Sequence, residues 1–108
     1  MISKSKLEER IYQKFRSDKF IRRVEQSIDR QLRRKACPGE EVEASFAVGN
    51  IAENSIQMKY LDVLASIYRE QGWKTEIKNE SKWLNSWYFI VSSEIPLSLP
   101  AFEKKGGG

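Results

Sequence analysis

Residues 83–93 read WLNSWYFIVSS, and this stretch sets the fold class. Trp87, Phe89 and Val91 point to one side of an extended chain, and Tyr88 and Ile90 point to the other. A strand that is apolar on both faces belongs at the centre of a sheet or under cover on both sides. The segments before it supply the rest of that sheet. Val42, Ala44, Phe46 and Val48 alternate with Glu41, Glu43, Ser45 and Ala47 within residues 40–48, which predicts a strand with one wet face. Trp73, Thr75 and Ile77 alternate with Lys74, Glu76 and Lys78 and predict another, closed by a polar turn over Asn79–Lys82. These last two strands are expected to form a hairpin.

Between the first two strands the period changes to that of a helix. Ile56, Tyr60, Leu61, Val63, Leu64, Ile67 and Tyr68 make a broad apolar face from about Ile51 to Gln71. Asn50 and Glu53 read as a capping-box variant at its start, and Gly72 as its stop. The width of that face implies a helix pressed on a sheet and touched by something else at its edge. If the first two strands are parallel, as neighbours or one strand apart, this helix is their right-handed crossover. Phe46, Leu64, Trp87 and Phe89 are the expected shared core.

The N-terminal third is different. Leu7, Ile11 and Phe15 recur every four residues from about Ser5, and Ser17-Asp18 then breaks the pattern with residues that can cap a new start. From Asp18 to Ala36, Ile21, Val24, Ile28 and Leu32 fall on one stripe. Lys19, Arg22, Arg23, Arg30, Arg33 and Arg34 fall on the opposite side. Glu25 and Asp29 flank the stripe, each within reach of a basic residue one helical turn away. Cys37-Pro38-Gly39 ends the helix. The fold class is therefore α+β, in the order α–β–α–β–β. It comprises a basic amphipathic helical segment over 1–36, a compact body over 37–94 with one helix packed on a three-stranded sheet, and an extended tail over 95–108. Ile95–Pro100 cannot be helical, and Lys104–Gly108 should be loose. The N-terminal stripe has three possible covers: a second copy, another partner, or the far side of the third strand, where Tyr88 and Ile90 need shelter. Partial self-docking with some oligomerisation is the expectation, because three strands and one helix make a meagre core.

Charge follows the same division. Residues 1–36 hold twelve Lys or Arg against five Asp or Glu, and residues 37–108 hold seven against ten, which leaves the chain at +4. A basic helix joined to a mildly acidic body points to binding and makes a polyanion the first partner to test. Histidine is absent, so Ser-His-Asp, Cys-His and His-metal chemistry have no residues to use. The single cysteine, Cys37, excludes an intrachain disulfide and a thiolate cluster within one chain, and fits a reducing compartment. Gly39, Gly49 and Gly72 are isolated, so no Gly-rich phosphate loop is present. No enzymatic activity and no cofactor are expected. No apolar run approaches the ~20 residues of a membrane span, and no apolar h-region follows the first basic residues. A cytoplasmic setting without membrane contact follows by default.

Three groups of side chains bear on function. The six basic residues lie on a helix ~28 Å long, enough to span several phosphates, in contacts that neutralise charge with little sequence preference. Such an arc can also be a plain solvated or protein-contacting face. Aromatic residues of the sheet can stack on bases; Trp87 and Phe89 read as core, whereas Trp83 and Tyr88 are the candidates for stacking or partner contact. Glu40, Glu41 and Glu43 could hold a divalent ion with Glu53, but three acids in one short run more often keep a strand edge wet.

The stretch from Met58-Lys59-Tyr60-Leu61-Asp62-Val63-Leu64 through Ile67-Tyr68 to Gly72-Trp73-Lys74-Thr75-Glu76-Ile77 resembles a helix-to-strand unit of small phage-encoded α+β accessory proteins. It spans about twenty residues and carries a Gly-Trp turn. The resemblance implies no catalytic residue and suggests a viral accessory or host-interacting protein. Two expectations therefore stand side by side. One is a non-enzymatic protein that contacts nucleic acid or a nucleoprotein complex through its basic helix. The other is a protein–protein module, an inhibitor or a component of an assembly, that meets an acidic or apolar protein surface.

Overall fold

The computed structural model describes residues 1–79 and 86–97. Six elements follow in chain order: α1 (Lys4–Ser17), α2 (Lys19–Lys35), β1 (Glu41–Gly49), α3 (Ile56–Glu70), β2 (Lys74–Asn79) and β3 (Trp87–Glu94). The class is α+β, with a three-stranded sheet in the order β1-β3-β2. The two-sided strand is the central one. β3 pairs antiparallel with β1, matching Phe46 to Phe89, and antiparallel with β2, matching Ile77 to Phe89. β1 and β2 are thus parallel to each other, one strand apart, and α3 connects them.

The N-terminal segment is two helices rather than one long one. Ser3 caps α1, its Oγ accepting from the Lys6 amide at 3.3 Å. Asp18 leaves the helical conformation, at φ −67° and ψ 125°, and its carboxylate accepts from the Ile21 amide at 3.0 Å. An Asp at this position satisfies an amide that a continuous helix would have bonded internally, so the chain stops and restarts there. α2 ends where Cys37-Pro38-Gly39 forces a turn: the Glu40 amide donates to the Cys37 carbonyl at 3.2 Å, and Gly39 takes φ +80°.

α3 starts five residues later than the Asn50/Glu53 pattern suggests. Ser55 is its N-cap, accepting from the Met58 amide at 3.2 Å, and a turn over Ala52–Ser55 precedes it. Ile51, freed from the helix, packs against the core. Burial of that side chain outweighs one more helical turn. The C-terminal stop is at Gly72, as its position suggests. The Trp73 amide reaches the Tyr68 carbonyl at 3.1 Å and the Gly72 amide reaches the Arg69 carbonyl at 3.0 Å, the paired bonds of a Schellman motif.

Both α2 and α3 pack on the same face of the sheet, where a single packed helix was expected. Ile21, Val24, Ile28 and Leu32 of α2 join Leu61, Leu64, Ala65 and Tyr68 of α3 over Val42, Ala44, Phe89 and Val91. Leu64 and Phe89 are fully buried, while Phe46 and Trp87 are partly buried against that cluster. The α2 stripe therefore does not shelter the far side of β3. Tyr88 and Ile90 are half-buried on the open face, beside Ala47 and Lys78 and beside Ser45 and Glu76 in the register. The reason is side-chain volume: Phe89 and Val91 need two helices to cover them across three strands, and α3 alone reaches β2 rather than β1.

α2 also closes one edge of the sheet. The Gln31 side-chain amide donates to the Ser45 carbonyl at 2.8 Å and accepts from the Ser45 amide at 3.2 Å. Lys35 Nζ adds a bond to the Glu43 carbonyl at 3.4 Å. Side chains of a helix thus take the place of a fourth strand. After β3, Ile95 extends the pairing, its carbonyl accepting from Gly39 at 2.8 Å and its amide donating to Glu40 at 3.0 Å. Trp83, the Asn79–Lys82 turn beyond Asn79 and the tail beyond Leu97 lie outside the described residues.

Candidate functional site

Residues 19–35 are helical because the sequence offers an Asp cap, no Gly or Pro inside, and apolar residues at three- and four-residue steps. Once that stripe is buried, the opposite arc must face outward. Lys19, Arg22, Arg23, Arg30, Arg33 and Arg34 are all exposed. Lys19 and Arg34 are fifteen residues apart, roughly 22 Å along the axis. None of the six forms an ion pair among the described residues, where the ion pairs are Lys4–Glu8 and Arg16–Glu25. Arg33 and Arg34 lie in the last turn, where the helix dipole favours cations.

The flanking acids are engaged elsewhere. Glu25 does not pair with Arg22, one turn back; it takes a bidentate contact from Arg16 of α1, both distances 3.2 Å. The bend at Asp18 brings the end of α1 beside α2 and makes this possible. The hydrogen bond to Glu25 raises the Arg16 guanidinium above its usual value, against the opposing effect of burial. Asp29 accepts from the Tyr68 hydroxyl of α3 at 2.7 Å. Burial first, and then that bond to Asp29, push the Tyr68 phenol well above its usual value, so it stays a donor.

Gln26, Asp29, Arg30, Arg33 and Arg34 line a shallow groove of ≈ 430 Å³ on this outer surface. Three of the six expected residues thus meet in one concavity. Lys19, Arg22 and Arg23 continue the arc toward the N-terminus of α2. Gln26 and Asp29 were missed as groove residues. The helical period places Gln26 within the arc and Asp29 between stripe and arc, but it does not show the Tyr68 partner of Asp29 on α3.

The open sheet face lies on the other side of the molecule. Glu41, Glu43, Glu76 and Glu94 share it with Lys74 and Lys78, around Tyr88 and Ile90. Tyr88 is therefore separated from the basic arc by the whole sandwich. Glu40, Glu41 and Glu43 are exposed along one strand and its approach, and no group of three His, Cys, Asp or Glu among the described residues is placed to hold a metal. Cys37 is exposed as a free thiol. No helix among the described residues is long and apolar enough to cross a membrane. No protein-family model, curated protein or solved structure matches this chain.

Proposed function

We propose that this chain is a non-enzymatic binding protein that contacts nucleic acid, alone or within a nucleoprotein complex, through the outer arc of α2. One observation carries the reading: six exposed cations share one arc, and none of them is in an ion pair among the described residues. Asp29 at the edge of the groove offsets one of them, which leaves the arc net positive for an external anion. Cations spread over ~22 Å of helix suit a chain of phosphates better than a single small anion. The acidic open face supports the same assignment, since it would repel a polyanion and leave α2 as the contact side.

Binding of this kind is backbone-directed. Its dissociation constant should lie around 10⁻⁴–10⁻⁶ M near physiological salt, weaken steeply with salt, and vary little among sequences. Fluorescence anisotropy on duplex DNA, single-stranded DNA and RNA at two salt concentrations tests this. If none of the three binds at ~10 μM protein and low salt, the reading falls. The basic arc would then meet an acidic protein surface. A charge reversal at Arg30 rescued by a reversed charge on that partner would establish it.

A further inference from the structure

One acid lines the basic groove. Arg22, Gln26, Asp29 and Arg33 recur at steps of four, three and four, so they form a single row along α2. Gln26, Asp29 and Arg33 also line the groove of ≈ 430 Å³, together with Arg30 and Arg34. Asp29 is half-buried, and one of its carboxylate oxygens accepts from the Tyr68 hydroxyl at 2.7 Å. That bond holds the side chain against α3. The second oxygen has no hydrogen bond or ion pair among the described residues. Arg30 is adjacent in sequence and Arg33 is one turn on, yet neither closes on it.

The charge of Asp29 is not required by Tyr68. A neutral amide or hydroxyl oxygen would also accept from the phenol and would leave the arc more positive. An ionised carboxylate, by contrast, only accepts hydrogen bonds and repels phosphate. A strand that follows the row from Arg22 to Arg33 therefore cannot set a phosphate on Asp29; it has to set a hydrogen-bond donor there. Backbone-directed contacts go to phosphate and sugar. On that backbone the donor is the ribose 2′-hydroxyl, which DNA lacks. Base amines are donors as well, but they lie on the base edges and change with sequence.

We propose that Asp29 makes this groove a reader of ribose. Its second oxygen accepts from a 2′-hydroxyl while Arg22 and Arg33, on either side in the row, hold phosphates. The arc then selects RNA over DNA without selecting a sequence. This rests on the reading of α2 as a nucleic-acid contact and adds the sugar to it.

Fluorescence anisotropy with uridine oligomers that differ only at the 2′ position tests it. The wild-type chain should bind the 2′-hydroxyl strand about tenfold more tightly than the 2′-deoxy strand, as expected for a hydrogen bond to a charged group. A 2′-fluoro strand, which cannot donate, should bind like the 2′-deoxy strand. Asp29→Asn keeps an oxygen for Tyr68 and removes the charge. It should strengthen binding of the 2′-deoxy strand and bring the ratio between the two below about twofold. Asp29→Ala combined with Tyr68→Phe removes the bond as a pair and should do the same. Arg33→Ala should weaken both strands alike and leave the ratio in place. Equal binding of all three strands by the wild-type chain overturns the inference and leaves the basic-arc reading standing, whereas failure of all three to bind overturns both. A 2′-fluoro strand that binds as tightly as the 2′-hydroxyl strand overturns the inference, because sugar shape and not the donor would set the preference. So does an Asp29→Asn chain that binds every strand more tightly by the same factor, because Asp29 would then only repel. A preference for cytidine over uridine that is the same with either sugar would also overturn it, since a base amine would be the donor.

Discussion

The Tyr68 hydroxyl donates to the Asp29 carboxylate at 2.7 Å, across 39 residues of sequence. This bond ties α3 to α2 and places the buried layer in direct contact with the wall of the basic groove. Tyr68 is among the buried core residues, and its bond to Asp29 is part-buried. Replacing Tyr68 by Phe should cost about 1.5–3 kcal/mol, the range for a hydrogen bond to a charged group. Urea denaturation checks it. Basic-arc binding should change little, because no arginine is removed.

The same residue gives a dependence on pH. Burial and the bond to Asp29 raise the Tyr68 phenol, so the folded chain holds that proton more tightly than the unfolded chain does. The stabilisation is present in full below about pH 10, the value of a free phenol, and is lost as pH rises from there toward the higher folded value. The stability gap between wild type and Tyr68→Phe should be constant from neutral pH to about 9 and shrink above 10. Paired urea titrations across that range would show it. A gap that widens with pH would mean the phenol is lowered, not raised.

Gln31 makes two bonds to the backbone of Ser45, at 2.8 and 3.2 Å. Gln31→Ala should leave those backbone groups to water and cost about 1–2 kcal/mol. Hydrogen exchange at the Ser45 amide should quicken by more than the global destabilisation explains. An uncovered β1 edge should also raise the tendency to aggregate.

Leu64 is fully buried between α3 and the sheet, so Leu64→Ala should cost about 2–5 kcal/mol. Asp18→Ala removes the cap that starts α2 and should cost about 1 kcal/mol. Thermal or chemical denaturation of the two variants tests whether the core or the helix break matters more to the fold.

For the basic face, Arg22, Arg23, Arg30 and Arg33 changed singly to Ala should weaken polyanion binding to a similar degree on unrelated sequences. Each change should lower the salt slope by about one, since each removes about one released counterion. Melting temperature should hardly move, because these side chains are exposed. Tyr88→Ala should leave duplex affinity unaltered, as Tyr88 lies on the acidic face of the sheet. A loss confined to single strands would place a stacking contact on that face instead.

The helical and extended periods were legible because each is set by neighbours two to four residues away. Leu7, Ile11 and Phe15 marked one helix, Ile21 to Leu32 another, and Trp87 to Val91 the central strand. The basic arc followed from the same arithmetic. Where two local signals competed, the sequence alone did not decide. Asn50 and Ser55 are both good caps, and Ser55 prevails because Ile51 is needed against the core. Glu25 had Arg22 at helical spacing, yet Arg16 takes it, because the bend at Asp18 is a matter of two helix axes and not of one.

By itself, then, the sequence determined the kinds of element, most of their ends, the two-sided strand and the side of α2 that carries charge. Tertiary structure decided that α2 lies beside α3 on one face of the sheet, that Gln31 closes the β1 edge, that Tyr68 holds Asp29, and that Tyr88 is kept apart from the arginines. These depend on contacts between residues many positions apart. Such contacts are chosen by how well whole faces fill space and satisfy one another's polar groups, and no window of neighbouring residues contains that information.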